Sequence, residues 1–411
     1  MQAVTDALAD ITETELDRPA PDGGWTARDV AHHLPDSETN GYIRLRRLIA
    51  EDDPVIVGYD QDEYARRLHY DRPIAGSLAV LAAVRASSLE LLGSLTPDEW
   101  ARTGQHSDSG RYSVDDWLGI YTRHPHDHAG QIRRARGWER MVTVPGGSLF
   151  VQQEGSGPPV VLLHAAIVDS RAWDAFVPGL TVRGYRVIRY DRRGFGRSTT
   201  EDVPYSNRAD LAAVLDAVGV ERAVVVGNSQ GGQIALDMAI EHPERVAAVV
   251  SVAGGLGGYE PEPTPAEAEL YEQLERLEGS GDAEAIAAFD SDIWVNGPGQ
   301  ARDRAPAHIR DAVREMDHAN WDPPRITGQP IRLEPSAAAR LDKLVAPVLV
   351  VAGSLDVSDA WLTAEHLAAH TPNARAVLLP DVAHMVGMEA PSELARLVDE
   401  FLATTGDSRP A

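Results

Sequence analysis

The sequence predicts two domains of different class: an all-α four-helix bundle over residues 1–138, then a doubly wound α/β domain with a mostly parallel sheet over residues 141–411. Three observations carry this. Helical spacing of apolar residues dominates the first third, and short apolar runs separated by amphipathic stretches dominate the rest. A chain of 411 residues also exceeds what one core ordinarily fills.

In the first third, Leu78, Leu81, Ala82, Val84, Leu89, Leu92 and Leu95 recur at intervals of three and four. Ser113 reads as an N-cap with an acid, Asp116, at the third helical position, opening a helix that runs toward Arg136. Four helices near 5–16, 27–50, 74–95 and 113–136 make the bundle. The texture changes between Gly137 and Arg140. Apolar runs at 160–163, 185–188, 223–226, 247–250, 348–351 and 376–379 then alternate with helical stretches, as buried strands of a sheet covered on both faces do. Residues 255–340 break that rhythm and read as a helical insertion, a lid.

Composition narrows the function. The chain has formal net charge −25 and repels phosphate backbones and anionic bilayers, so neither nucleic acid nor membrane is an expected partner. It contains no cysteine, which excludes disulfides, cysteine nucleophiles and thiolate metal sites. The N-terminal stretch lacks a basic region followed by an apolar one, and the longest apolar run, around 345–352, is far short of a membrane span. A soluble, cytoplasmic protein is the expectation.

The chemistry centres on Gly227-Asn228-Ser229-Gln230-Gly231, which follows one strand run and opens a helix. A sharp strand-to-helix turn lifts a serine hydroxyl above the sheet and tolerates almost no side chain at its flanks, hence the two glycines. Serine needs a general base. His384, on the loop after the last strand run, has that topology; His242 and His366 sit within helices, and His308 and His318 fall in the lid. An acid must orient the base. Asp356 lies just past the 348–351 run and is preferred, with Asp359 as its rival. The order Ser, Asp, His is the one this architecture uses.

Residues 141–405 resemble the α/β-hydrolase superfamily. Beyond the triad, the likeness rests on the stretch from Leu163 and His164 to Trp173, on Asp191-Arg192-Arg193-Gly194-Phe195-Gly196-Arg197-Ser198, and on His242-Pro243-Glu244-Arg245-Val246. Its flavour is that of the 3-oxoadipate enol-lactone hydrolase-like and C–C hydrolase-like branches. The family usually has His-Gly where this chain has His164-Ala165. The resemblance implies that the N–H groups of Ala166 and Gln230 bind the oxyanion and that His164 is structural.

In the first domain, His124 and His128 are four apart and project from one helical face, a spacing that can chelate a divalent cation; His32 and His33 sit on another helix. With no cysteine present, a metal would be held by histidine or carboxylate. Residues 20–136 resemble the DinB/YfiT-like metal-binding bundles, through Trp25 to Glu38, Gly76 to Arg85, Trp100 to Gly104 and His124 to Ile132. That resemblance implies a site for zinc or nickel made of His33, His124 and His128. Pro35 and Pro125 lie inside the ligand-bearing helices. A proline there removes a backbone bond and kinks the axis at a cost of about 3 kcal/mol or more; the alternative to a metal site is a kink at Pro125 that swings His124 off the face of His128 and leaves the site empty.

The expected function is serine hydrolysis of an ester, lactone or thioester of a small, partly apolar molecule. The same triad also serves C–C cleavage, cyclisation, decarboxylation or perhydrolysis. Other classes are a ligand-binding module and a metal- or thiol-dependent transferase in the bundle. A homodimer through the bundle is an expected assembly.

Overall fold

The computed structural model describes residues 2–9, 11–20, 23–323 and 326–405. The chain divides between Glu139 and Arg140 into two compact units.

The first unit contains α1 (Gln2–Leu8), α2 (Glu13–Leu16), α3 (Ala27–Ala50), α4 (Gln61–Arg67), α5 (Ala75–Ser94), α6 (Pro97–Trp100) and α7 (Val114–Ala135). The single helix expected at 5–16 is instead two short ones, because Thr12 caps α2 in a reciprocal box with Glu15. Thr26 and Ser113 cap α3 and α7 with the same device, through Asp29 and Asp116. Both long helices run on through Pro35 and Pro125. α3 lies at the centre and packs on α5 and α7. A small sheet was not foreseen: β1 (Val55–Ile56) pairs in parallel with β2 (Thr103–His106), which pairs antiparallel with β3 (Gly110–Ser113). Strands of two to four residues are too short for a period to register. Contrary to the reading that no stretch approaches a membrane span, α5 is long and apolar enough by length and composition. It packs along α3, and its Arg85 is ion-paired to buried Glu38.

The second unit is built on a sheet of β4 (Glu139–Val144), β5 (Gly147–Glu154), β6 (Pro159–Leu163), β7 (Arg186–Tyr190), β8 (Thr199–Thr200), then, past β9 (Pro204–Tyr205), β10 (Ala223–Asn228) and β11 (Val246–Val252). Past β12 (Gln329–Pro330), β13 (Val348–Gly353) and β14 (Ala374–Leu379) complete it. Its order is β14-β13-β11-β10-β6-β7-β5-β4, with β8 against β5. From β7 to β14 neighbouring strands are parallel, whereas β5 runs antiparallel to β7. Along β6, Val161 and Leu163 face one apolar cluster and Val160 and Leu162 another, the period-two signature of a sheet buried on both faces.

Helices α8 (Val177–Thr181), α9 (Asn207–Ala217) and α10 (Gln230–Glu241) precede the insertion. α11 (Pro265–Ser280), α12 (Ala283–Asp290), a π-helical turn (Ser291–Asn296) and α13 (Ala307–Trp321) form it. α14 (Ser358–His370), α15 (Val386–Glu389) and α16 (Pro391–Thr404) close the chain. The connection leaving β6 goes to β7 on one side, then returns to β10 on the other. This order reversal opens a crevice at the strands' carboxyl ends, where ligands bind in open α/β sheets.

Candidate active site and metal centre

Ser229 stands at the carboxyl end of β10, at the head of α10, with φ 55° and ψ −119°. A non-glycine residue in that region carries strain of about 1–3 kcal/mol. The turn has no room beside it. A Cβ on Gly227 would lie 2.1 Å from the Gly231 carbonyl oxygen, and one on Gly231 would lie 2.3 Å from that of Leu163. The glycines are therefore steric requirements of the turn, as the motif suggested.

His384 is buried on the loop after β14, and its Nδ1 lies 3.0 and 2.9 Å from the two carboxylate oxygens of Asp356. A carboxylate only accepts, so Nδ1 carries the proton and Nε2 is left as the basic nitrogen. Asp356 is held in turn by the Val357 N–H at 2.8 Å. The bond goes to Asp356 and not to its rival Asp359, which contributes charge alone. Burial opposes a charge on His384, but Asp356, Asp359 and Glu389 outweigh it, and the pKa is raised.

Two residues that sequence reasoning missed tie this site together. Asn228 donates its side-chain amide to the main-chain oxygens of Val252 and His384, each at 3.2 Å, so the residue before the serine holds the histidine loop. Arg192, buried beneath, donates to the Gln230 side chain at 2.5 Å and to the Ala165 carbonyl at 3.0 Å. One guanidinium thus braces both segments expected to line an oxyanion pocket: the turn containing Ala166, and the first residue of α10, whose N–H has no partner within the helix. Arg192 was quoted only as part of a motif, and nothing in its spacing announces this contact.

His164 accepts the Arg192 N–H at Nε2 (3.0 Å), and its Nδ1 donates to the Ala165 carbonyl (2.7 Å). Both ring nitrogens are committed, which suits a structural role. Ala165 in place of the usual glycine causes no strain, because it is not among the non-glycine residues of positive φ, which are Asp53, His69, Ser229, Ala253 and Asp381.

In the first unit, His33 on α3 meets His124 and His128 on α7. Nε2 of His124 lies 3.3 Å from that of His33 and 3.1 Å from that of His128. The helix therefore carries both rings on one face despite Pro125. Nδ1 of His128 donates to the Gln131 side chain at 2.8 Å, leaving its Nε2 lone pair turned on the centre. Burial holds the three imidazoles neutral, with His33 lowered to about 3 and His124 to about 4. Three neutral nitrogen donors converging within 4.8 Å fit a divalent cation. The neighbouring His32 is committed elsewhere, to the Ser77 hydroxyl at 2.7 Å and the Arg72 carbonyl at 2.8 Å.

Comparison with known proteins agrees with this division. The model of the DinB superfamily matches residues 1–132, and that of the α/β hydrolase fold matches residues 158–293. A protein of Oceanobacillus iheyensis, named by inference as a metal-dependent hydrolase, is 40% identical over 125 residues, 30% of this chain and 73% of that protein. A counterpart of Halalkalibacterium halodurans is 31% identical over the same shares. Among solved structures, a hydrolase from Pseudomonas aeruginosa is 28% identical with a TM-score of 0.52, covering 65% of this chain and 98% of its own. The enol-lactonase of Burkholderia xenovorans, 23% identical at TM-score 0.51 over 64% of this chain and 100% of its own, shares the fold. The chain therefore belongs to the DinB superfamily through its N-terminal domain, and its C-terminal domain has the α/β hydrolase fold.

Proposed function

We propose that the C-terminal domain is a serine hydrolase in which Ser229 is the nucleophile, His384 the general base and Asp356 its orienting acid. The observation that carries this is the His384–Asp356 hydrogen bond, anchored by Asn228 to the strained turn bearing Ser229. Ser229 Oγ attacks the carbonyl carbon of an ester, lactone or thioester while His384 Nε2 takes its proton. The charge that develops on the carbonyl oxygen meets the N–H groups of Ala166 and Gln230, aided by the positive end of α10. The imidazolium, stabilised by Asp356, protonates the leaving group, and water then repeats the sequence on the acyl-enzyme. A fluorophosphonate probe labels the wild-type chain and not Ser229→Ala; equal labelling of the two refutes the assignment. C–C cleavage, cyclisation and decarboxylation use the same groups, and assay against activated esters and lactones separates them.

For the first domain we infer a divalent cation, zinc or nickel, held by the Nε2 atoms of His33, His124 and His128. When bound it would supply a Lewis-acid centre with an open position. The chain's own part is to keep the three rings neutral by burial and to orient His128 through Gln131. Metal analysis of the purified protein, with and without His124→Ala, tests it.

A further inference from the structure

The helical insertion contains a buried acid pair that the hydrolytic cycle leaves unused. Asp290 ends α12 and Asp317 lies on α13; they are 2% and 1% exposed, and the two carboxyl groups adjoin each other. Two carboxylates so close and so buried repel each other, which disfavours ionising both. Burial, then Asp317, push the Asp290 carboxyl well above the usual carboxylate range, with Glu278 of α11 adding a further negative charge.

The pair has a connection on each side. Trp294, on the π-helical turn, donates its indole N–H to Asp290 Oδ1 at 2.8 Å, and its ring centroid stands 4.8 Å from that of His384. Asn320 lies one turn beyond Asp317. Its amide donates to the Ile167 carbonyl at 3.2 Å and approaches Asp317 Oδ1 at 3.4 Å. Ile167 follows Ala166, so the same two acids stand between the ring that walls the base and the turn that carries an oxyanion donor.

We propose that Asp290 and Asp317 act as one proton-sharing positioning pair that sets the shape of the acyl site, through Trp294 on one side and Asn320 on the other. Trp294 is then the specificity-determining wall beside His384. The proposal rests on the serine-hydrolase reading. The shared proton is what keeps the arrangement: its loss leaves adjacent like charges under the lid and weakens the hold on both arms.

Asparagine at 290 imitates the protonated acid, accepting from Trp294 through Oδ1 and donating to Asp317 through Nδ2. The full-length wild type, Asp290→Asn, Asp290→Ala and Trp294→Phe are compared from about pH 6 to about pH 10. The readouts are the fluorophosphonate labelling rate and the ratio of kcat/KM for p-nitrophenyl acetate to that for p-nitrophenyl hexanoate. Wild type slows toward the alkaline end of that range. D290N stays within a few-fold of wild type at neutral pH and lacks that alkaline decline. D290A loses about tenfold or more, the scale expected of a misplaced reacting geometry, and its ester ratio changes. W294F changes the ester ratio and keeps the interpretation open to refutation if D290A does not fold. A labelled wild type with D290A or W294F indistinguishable from it in rate and ratio overturns the pairing alone, as does an unaltered alkaline decline in D290N. A wild type that takes no label overturns the serine assignment, and the pairing with it.

Discussion

The side chain of Asn228 reaches the main-chain oxygen of His384 at 3.2 Å, joining two residues 156 positions apart. The turn that strains the serine and the loop that delivers the base are therefore one mechanical unit. Asn228→Ala removes a donor shared by two buried carbonyls. It should cost about 1–3 kcal/mol of stability and about tenfold in kcat, while leaving Ser229 open to labelling. Thermal unfolding and steady-state kinetics check both.

Arg192 acts through the groups it braces. Arg192→Ala should lower kcat by about tenfold to a hundredfold with little change in KM, somewhat less than outright loss of an oxyanion donor. Lysine at this position cannot reach two acceptors with one planar group and should not restore the rate.

The pH dependence follows from His384. Its raised pKa places the acid limb of kcat/KM above the ordinary histidine value of about 6.5, since the base must be neutral to act. Asp359 contributes to that elevation without touching the ring, so Asp359→Asn should move the limb toward lower pH and leave the plateau nearly unchanged. A pH–rate profile measures the shift.

Stability has its own pH signature at Asp290. Its folded pKa is raised by burial and by Asp317 well above the unfolded value of about 3.9. The folded state then binds more protons between those values, and the carboxyl's contribution falls as the pH rises through that window. Asp290→Asn should therefore unfold at a higher temperature than wild type at alkaline pH, with the gap closing toward pH 4.

In the N-terminal domain, added zinc or nickel should raise the unfolding temperature of wild type. A metal at a hundred times its dissociation constant stabilises by about 2.7 kcal/mol. His124→Ala should lose that response, and His32→Ala should keep it, because both nitrogens of His32 already have partners.

Much of this was legible because it is local. The Gly227–Gly231 turn, the strand runs, and the capping boxes of α3 and α7 are written in neighbouring residues. His384 and Asp356 could be chosen by their place after successive strands, with Asp359 as a rival; the hydrogen bond joins His384 to Asp356. What escaped is tertiary. Asn228, Arg192 and Trp294 acquire their roles from partners dozens of residues away, and no period records that. The β1–β3 sheet failed to register because its strands are shorter than any repeat. The helix expected over 113–136 does run on through Pro125, where packing against α3 offsets the local penalty.

The backbone at Ser229, held at φ 55°, has a consequence for inheritance. Glycine there would relax the turn, so a copy of this chain freed from the need to react would gain by discarding its serine. The proposed nucleophile and the comfort of the turn therefore pull in opposite directions at a single position.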